Sequence, residues 1–378
     1  MIEAVQAAAR AAPDSAWARI VEASVLLSSR DARDFEAAGW MYAELKGLAL
    51  NPHEQAHLQA ISAAVDGDYG TASRIYDAIL AAHPRDALAL SVAQVFDYYL
   101  GQPQALLARS TRALEAWTPD LPLYHAVLSL HAYALQECGR YEEAEQTALR
   151  ALALNPRDAR AHHALAHVME MQGRFEEGIR RLGARSALWA GAGPMATHLW
   201  WHLALYHFEL GRPAVALALY DLRMQGQALS ELIDASALLW RLHLAGVVIG
   251  ARFKVLAARW APYAEDAHCA FNDLHAMMAF VGAGRWDCAA RLLAAQERRS
   301  ARPRGTNHDM TRLVGLPASR ALAAFGRGDY ASAERLLRAL PPVAHRIGGS
   351  HAQRDVLQLT RAAARNKWGQ INISRHAA

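Results

Sequence analysis

The chain has 378 residues, of which 53% are hydrophobic and 20% are charged. This is ample apolar material for a large core, so a disordered or collagen-like chain is excluded. The 40 basic and 36 acidic residues give a formal charge of only +4. The densest basic run, residues 298–304, is typical of a solvated loop, so we expect no nucleic-acid partner.

Three cysteines, Cys138, Cys269 and Cys288, lie far apart in the sequence. This usage indicates a reduced protein rather than a disulfide scaffold or a thiolate zinc site. The first residues show no signal peptide, and the longest apolar stretch, residues 237–249, is interrupted by Arg241 and His243. We therefore expect a cytoplasmic protein that has no membrane partner.

One short pattern recurs along the chain: a glycine, any residue, then an aromatic residue or proline, with an alanine usually three residues later. Successive glycines of the pattern lie 34, 38, 34, 38, 73 and 44 residues apart, at Gly67, Gly101, Gly139, Gly173, Gly211, Gly284 and Gly328. A glycine ends one helix in the left-handed conformation, and a small alanine lets the next helix approach closely. Each unit is therefore predicted to be a helical hairpin of the tetratricopeptide (TPR) period.

A single hairpin cannot bury its apolar face, so the hairpins are expected to stack. The predicted fold class is all-α, a TPR-type α-α superhelix that forms a solenoid of about eight to ten helical hairpins. We expect one domain over residues 1–365, with residues 1–50 as an irregular N-terminal helical cap and residues 366–378 as a polar C-terminal tail. The ends of such a solenoid would allow a homodimer.

Beyond the repeat period, the chain contains longer motifs at residues 117–122 (WTPDLP), 163–171 (HALAHVMEM), 201–206 (WHLALY), 271–275 (FNDLH), 315–317 (GLP) and 348–355 (GGSHAQRD). These motifs resemble those of the tetratricopeptide repeat protein 38 family, from about Asn51 to Asp355. The family pattern has a further histidine where this chain has Met169. The resemblance implies the fold and no particular activity.

Polar side chains follow the first helices of successive hairpins, which in TPR proteins line the concave surface. His163, His167 and Glu170 are spaced i, i+4 and i+7, so they share one helical face. The column continues at Tyr133, His198, Trp201, His202, Arg241, Asn272, Asp273 and His275. Because burying so many polar groups is costly unless they bind each other, water or a ligand, we predict a polar concave pocket.

The segment Gly348–Asp355 is the second candidate site. A Gly-Gly-Ser turn before Gln353, Arg354 and Asp355 would offer backbone N–H groups at a helix N-terminus, where an anion binds readily. The guanidinium of Arg354 would add a carboxylate or phosphate clamp. The simpler interpretation is a helix cap with Arg354 paired to a neighbouring acid.

Four interpretations of the histidine column remain open. His163, His167 and Glu170 could bind a divalent metal. Without a metal, the histidines could perform acid–base catalysis, with Glu170 as an orienting group. The pocket could also bind a peptide or small molecule without chemistry, or the histidines could be hydrogen-bonded groups between helices.

We therefore predict a pocket for a small anionic molecule. His163, His167, Glu170, His202 and His275 are the candidate catalytic residues. Candidate binding residues are Tyr133, His198, Trp201, Arg241, Asn272, Asp273, Gln353, Arg354 and Asp355. The alternative is a non-enzymatic scaffold that binds a protein or peptide in its groove. The sequence identifies no certain cofactor, and a divalent metal is the candidate.

Overall fold

The computed structural model describes residue 11 and residues 15–376, and within them it contains helices and no strand. Two compact units are formed, Met1–Val168 with Arg304–Thr306, and Met169–Pro303 with Asn307–Ala378. The all-α TPR-type prediction is confirmed. The prediction of one domain over residues 1–365 stays a prediction.

The helices of the first unit are α1 (Ala16–Leu26), α2 (Ala32–Leu45), α3 (Pro52–Val65), α4 (Tyr69–Ala82), α5 (Ala87–Tyr99), α6 (Pro103–Ala116), α7 (Tyr124–Glu137) and α8 (Tyr141–Leu154). The boundary between the units falls inside α9 (Ala159–Met171). Residues 1–10 and 12–14 of the predicted N-terminal cap lie outside the described residues, and from Ala16 onward the cap is a helical hairpin.

The helices of the second unit are α10 (Phe175–Ala184), α11 (Ser186–Trp189), α12 (Pro194–Glu209), α13 (Pro213–Arg223), α14 (Leu229–Leu244), α15 (Arg252–Trp260), α16 (Ala270–Ala283), α17 (Trp286–Ser300), α18 (Thr306–Met310), α19 (Leu316–Gly326), α20 (Tyr330–Arg338), α21 (His351–Arg354) and α22 (Val356–His376). Helix α18 begins at the unit boundary. Two 3₁₀ turns, Ala261–Tyr263 and Ala344–Ile347, and a π-helical turn, Thr311–Gly315, complete the unit. The segment predicted as a polar tail continues α22 as far as His376.

The hairpins form for the reasons that the sequence pattern gives. Gly139 follows α7 with φ of 76°, a left-handed conformation in which a side chain would be strained. Tyr141 then begins α8, and Ala144 is fully buried where the two helices approach. Asn51 caps α3 through a capping box with Glu54.

Across the described residues, no helix combines the length and apolar character needed to cross a membrane.

Candidate functional site

In the first unit, His163 and His167 form a contact pair on α9. Their Nε2 atoms are 2.9 Å apart, so one ring donates a hydrogen bond to the other. Tyr133 from α7 stacks on His163 with ring centroids 5.4 Å apart, and its ring meets that of His167 edge-on. The predicted shared face of His163 and His167 is therefore present, with Tyr133 beside it.

In the second unit, His202 on α12 is hydrogen-bonded to Glu170. Its Nδ1 lies 2.6 Å from Glu170 Oε2, and its side chain is fully buried. Burial, with nearby His198 and Arg241, holds the pKa of His202 well below its ordinary value. Burial also raises the pKa of Glu170 to about 7, although Arg241 and His198 oppose this shift. At neutral pH the pair therefore holds a neutral imidazole beside a carboxyl group that can take up or release a proton.

His198, one helical turn before His202, binds Asp234 on α14. Its Nδ1 lies 2.9 Å from Asp234 Oδ1, and its ring stacks on Trp201 at 5.1 Å. The rings of His198 and His202 meet edge-on at 4.9 Å. Asp234 was missed by the sequence reasoning. Its position inside a helical apolar run, and not at a cap, gave no local signal for the contact.

Arg241 on α14 contacts both the C-terminal segment and Trp201, the residue before His202. Its guanidinium donates to the carbonyl oxygens of Ala237 at 3.0 Å and Ala352 at 2.6 Å, and to the carboxylate of Asp355. The guanidinium also lies 5.5 Å from the ring centre of Trp201. The C-terminal segment is thus paired with Arg241 through Asp355, whereas the guanidinium of Arg354, for which the simpler interpretation expected a neighbouring acid, donates to the Gly349 carbonyl.

A cavity of about 670 Å³ opens beside these groups, entirely within the second unit. Its charged and titratable lining residues are Glu170, Glu209, Asp355, Arg354, Arg361, His345 and His351. Glu209, His345 and His351 are not among the predicted site residues. Glu209 follows His202 by seven residues on α12, the same spacing as His163 and Glu170, so helical periodicity could have identified it. His345 lies in a 3₁₀ turn and His351 at the start of the short helix α21, so no helical period relates them to the histidine column. A cavity of this size, lined by both apolar and charged side chains, is large enough for a small metabolite.

The charges around the cavity are separated into two groups. Desolvation raises the pKa of Glu209, and the neighbouring carboxylates Asp355 and Glu170 add to the shift. Desolvation also raises the pKa of Asp355, against the effect of Arg241. By contrast, desolvation lowers the pKa of His345, and nearby Arg346 and Arg354 lower it further. The carboxyl groups therefore cluster together, while His345 lies in the field of two arginines.

The Gly348–Asp355 segment uses its own polar groups internally. Ser350 and Gln353 form a capping box, with Ser350 N donating to Gln353 Oε1 at 3.0 Å and Gln353 N donating to Ser350 Oγ at 3.3 Å. The guanidinium of Arg354 donates to the carbonyl of Gly349. This differs from the predicted anion site, because the backbone donors of Ser350 and Gln353 are already bonded. Gln353 caps α21, and Arg354 lines the cavity.

Replacing Ser350 with alanine is expected to lower the free energy of unfolding by about 1 kcal/mol, because the side-chain half of the capping box is lost. Urea denaturation followed by circular dichroism measures the change. Ser300→Ala is the control, since Ser300 Oγ only donates to the Glu297 carbonyl near an exposed helix end. Equal effects of the two substitutions would contradict the capping role.

Helix α16 carries predicted site residues that do not line the cavity. His275 is fully buried and its Nδ1 donates to the Phe271 carbonyl at 2.7 Å, one turn earlier in the same helix. Asp273 is buried and accepts a hydrogen bond from Gln296, and burial raises its pKa to about 7. Asn272 is also buried. The structure therefore places these three side chains in the packed interior, away from Glu170 and the cavity.

Together these features define a TPR-type helical repeat protein whose second unit contains a cavity lined by titratable side chains. No protein-family model matches the chain. It is similar to a chain in the crystal structure of the APC/C hetero-tetramer Cut9–Hcn1, with 12% identity and a TM-score of 0.40 over 91% of this chain and 62% of that one. It is also similar to yeast Tom70, with 12% identity and a TM-score of 0.45 over 98% of this chain and 85% of that one.

Proposed function

We propose that this chain is a cytoplasmic member of the tetratricopeptide repeat protein 38 family that binds a small molecule in the cavity of its second unit. The molecule carries an anionic group, and Glu170 acts on it as a general acid or base. The family assignment rests on the motifs at residues 163–171 and 348–355 and their neighbours in the sequence.

The observation that carries the proposal is the position of Glu170. Its carboxyl group lines the cavity, is only 12% exposed, and is bonded at 2.6 Å to the buried His202. A pKa of about 7 is close to the value at which a group both accepts and donates protons efficiently at neutral pH. His202 positions the carboxyl group, and the ring of His198, which is bonded to Asp234, packs edge-on against His202.

The anionic group of the ligand would lie against Arg354, with His345 close by. Glu209 and Asp355 would repel it, so it cannot occupy the part of the cavity beside them. A carboxylate or phosphate suits a guanidinium because it accepts two parallel hydrogen bonds.

The metal-assisted form of the chemistry remains a second proposal, and the contact of His163 with His167 favours it. Two Nε2 atoms at 2.9 Å are a geometry that a divalent ion could enter by displacing the shared proton. Elemental analysis of purified protein tests it. An absence of metal before and after loading would exclude this form without affecting the Glu170 proposal.

A thermal-shift screen of carboxylated and phosphorylated metabolites, followed by calorimetry of each hit, tests ligand binding. Arg354→Gln keeps a donor for the Gly349 carbonyl but removes the charge, and should weaken binding at least about tenfold. Arg365→Gln is the matched control, because Arg365 is exposed on α22 and does not line the cavity.

A screen without hits, together with stoichiometric binding of a purified protein or peptide that Glu170→Gln leaves unchanged, would favour the alternative, a non-enzymatic scaffold. Equal affinities of the Arg354 and Arg365 variants would overturn the placement of the anion.

A further inference from the structure

A second histidine cluster lies in the first unit, outside every site described above. His53 and His57 are one turn apart on α3, and Asp86 is the residue before α5. The Nε2 atoms of both histidines lie 2.7 Å from the same atom, Asp86 Oδ2. The three possible ligand atoms all lie within 4.8 Å of one another.

The local fold holds these three groups in place. Asp86 Oδ1 accepts the Ala89 backbone N–H at 2.8 Å as the cap of α5, which directs Oδ2 toward the histidines. The side chains of His57 and Asp86 are 0% and 4% exposed, whereas His53 is 30% exposed. The cluster is thus preorganised on its inner side and reachable from solvent through His53.

A similar arrangement occurs around Asp158 in another repeat. Comparing the two shows which feature of the Asp86 cluster is unusual. Asp158 caps the start of α9 and lies 2.7 Å from both His125 Nδ1 and Ser129 Oγ. These partners precede Asp158 by 33 and 29 residues, as His53 and His57 precede Asp86. A hydrogen-bonded link between repeats therefore needs one histidine and a serine. The repeat of Asp86 has an imidazole in the serine position.

The second imidazole also leaves a polar atom that the link does not use. His57 Nδ1 is buried and has no hydrogen-bond partner among the described residues. Hydrogen bonding to Asp86 alone therefore does not account for a fully buried histidine at this position.

We propose that His53, His57 and Asp86 bind one divalent transition-metal ion, of which Zn²⁺ is the representative. Two imidazoles and a carboxylate are a ligand set that zinc accepts, and the exposed side of His53 leaves a fourth position to water. The ion takes the place of the two protons that now bridge the imidazoles to Asp86 Oδ2, and each imidazole keeps one proton by carrying it on Nδ1. His57 Nδ1 has no supporting acceptor, so the affinity is lower than that of a structural zinc site.

A tryptophan beside the cluster provides a local signal. The ring of Trp17 stacks on His53 at 5.3 Å and meets that of His57 edge-on at 5.1 Å. A bound Co²⁺ or Ni²⁺ would therefore quench the fluorescence of Trp17. Trp17→Phe identifies its share of the total emission.

The experiment uses the full chain after removal of metals by a chelator. Zn²⁺ is titrated by calorimetry, and Co²⁺ by absorbance and by Trp17 quenching. His53→Ala should weaken binding at least about tenfold and remove the quenching. His57→Ser copies the natural serine of the other repeat and should do the same. Asp86→Asn keeps the helix cap and should also weaken binding.

His125→Ala is the matched control, since it removes a histidine from the equivalent link that has no second imidazole. It should leave the affinity and the quenching unchanged. Unchanged Co²⁺ binding in folded His53→Ala protein would overturn the proposal. So would binding that His167→Ala abolishes and His53→Ala does not affect. Because the cluster is separate from Glu170, neither result bears on the proposed role of Glu170, and binding that depends on His167 would support the metal site at His163 and His167.

Discussion

Arg241→Met is expected to lower the free energy of unfolding by about 3 kcal/mol. Methionine fills much of the same volume but has no hydrogen-bond donor. It cannot replace the hydrogen bonds that the buried guanidinium donates to the Ala352 carbonyl and to Asp355. Asp355 is itself 48% exposed, so water solvates its carboxylate after the substitution. Most of the cost therefore comes from the buried carbonyl that loses its charged donor.

Urea denaturation at pH 7 measures this loss. Arg241→Lys keeps the charge but reaches fewer acceptors. The stability of this variant should therefore fall between those of the unsubstituted protein and Arg241→Met. Arg320→Met is the control, because Arg320 pairs with Glu297 on the surface, where both side chains are about half exposed. An exposed pair contributes at most about 1 kcal/mol. If the Arg241 and Arg320 variants lost equal stability, Arg241 would not link α14 to the C-terminal segment.

The repeat fold could be predicted because its signals are local. Gly139 lies in the turn between α7 and α8, and Ala144 lies in the first turn of α8. Their roles follow from backbone conformation and residue size alone. The start of α3 could likewise be predicted, because Asn51 caps the helix and Pro52 is its first residue. Each hairpin contacts its neighbours in sequence, so a period found in the residues becomes a period in space.

The site was predictable only in part, because its contacts are not periodic. The sequence placed Glu170 and His202 on inner helices but could not show that they bond to each other across 32 residues. Arg241 meets Asp355 across 114 residues, through an irregular segment that no repeat describes. His202 and His275 each lie nine residues before a glycine of the repeat pattern, Gly211 and Gly284. His275 nevertheless bonds to its own helix, because the neighbours of that repeat position change along the array.

The cluster of His53, His57 and Asp86 shows a signal that was present and missed. His53 and His57 have the same i, i+4 spacing as His163 and His167, and Asp86 follows Pro84 as Asp158 follows Pro156. Aligning these two Pro-Arg-Asp turns would have predicted the hydrogen bonds to Asp86. It would not have shown that both histidines reach one oxygen atom, because this depends on side-chain rotamers.

Glu170→Gln is expected to stabilise the protein at pH 8 by up to about 3 kcal/mol. The pKa of Glu170 is raised to about 7 from 4.5, so the folded state binds a proton more tightly than the unfolded state. Stability from this group is therefore present at low pH and is lost as the pH rises from about 4.5 to about 7. Glutamine resembles the protonated form and can still pair with His202 Nδ1. The Glu170→Gln variant therefore does not lose this stability at high pH.

His202 has a shift of the opposite sign. Its folded pKa is depressed, so its contribution is lost as the pH falls below about 6.5. Because His202 is present in both proteins, this contribution largely cancels in the difference between them, and the effect of Glu170 is followed between about pH 5 and pH 8. The other charged groups near the pair, which are present in both proteins, are His198, Arg241, Glu209 and Asp355.

Urea denaturation of both proteins at pH 5 and pH 8 measures the difference, with the exposed Glu176→Gln as the control. A stability gain at pH 8 that shrinks strongly toward pH 5 is the expected result, and an equal gain at both values would contradict the raised pKa. A residue whose replacement stabilises the fold is retained for another reason, and site residues commonly lower stability in this way. If the same variant also loses turnover of a ligand found by the screen while keeping its affinity, the cost of burying Glu170 is explained by proton transfer. A stable variant that keeps full turnover would mean that Glu170 is not the acid or base.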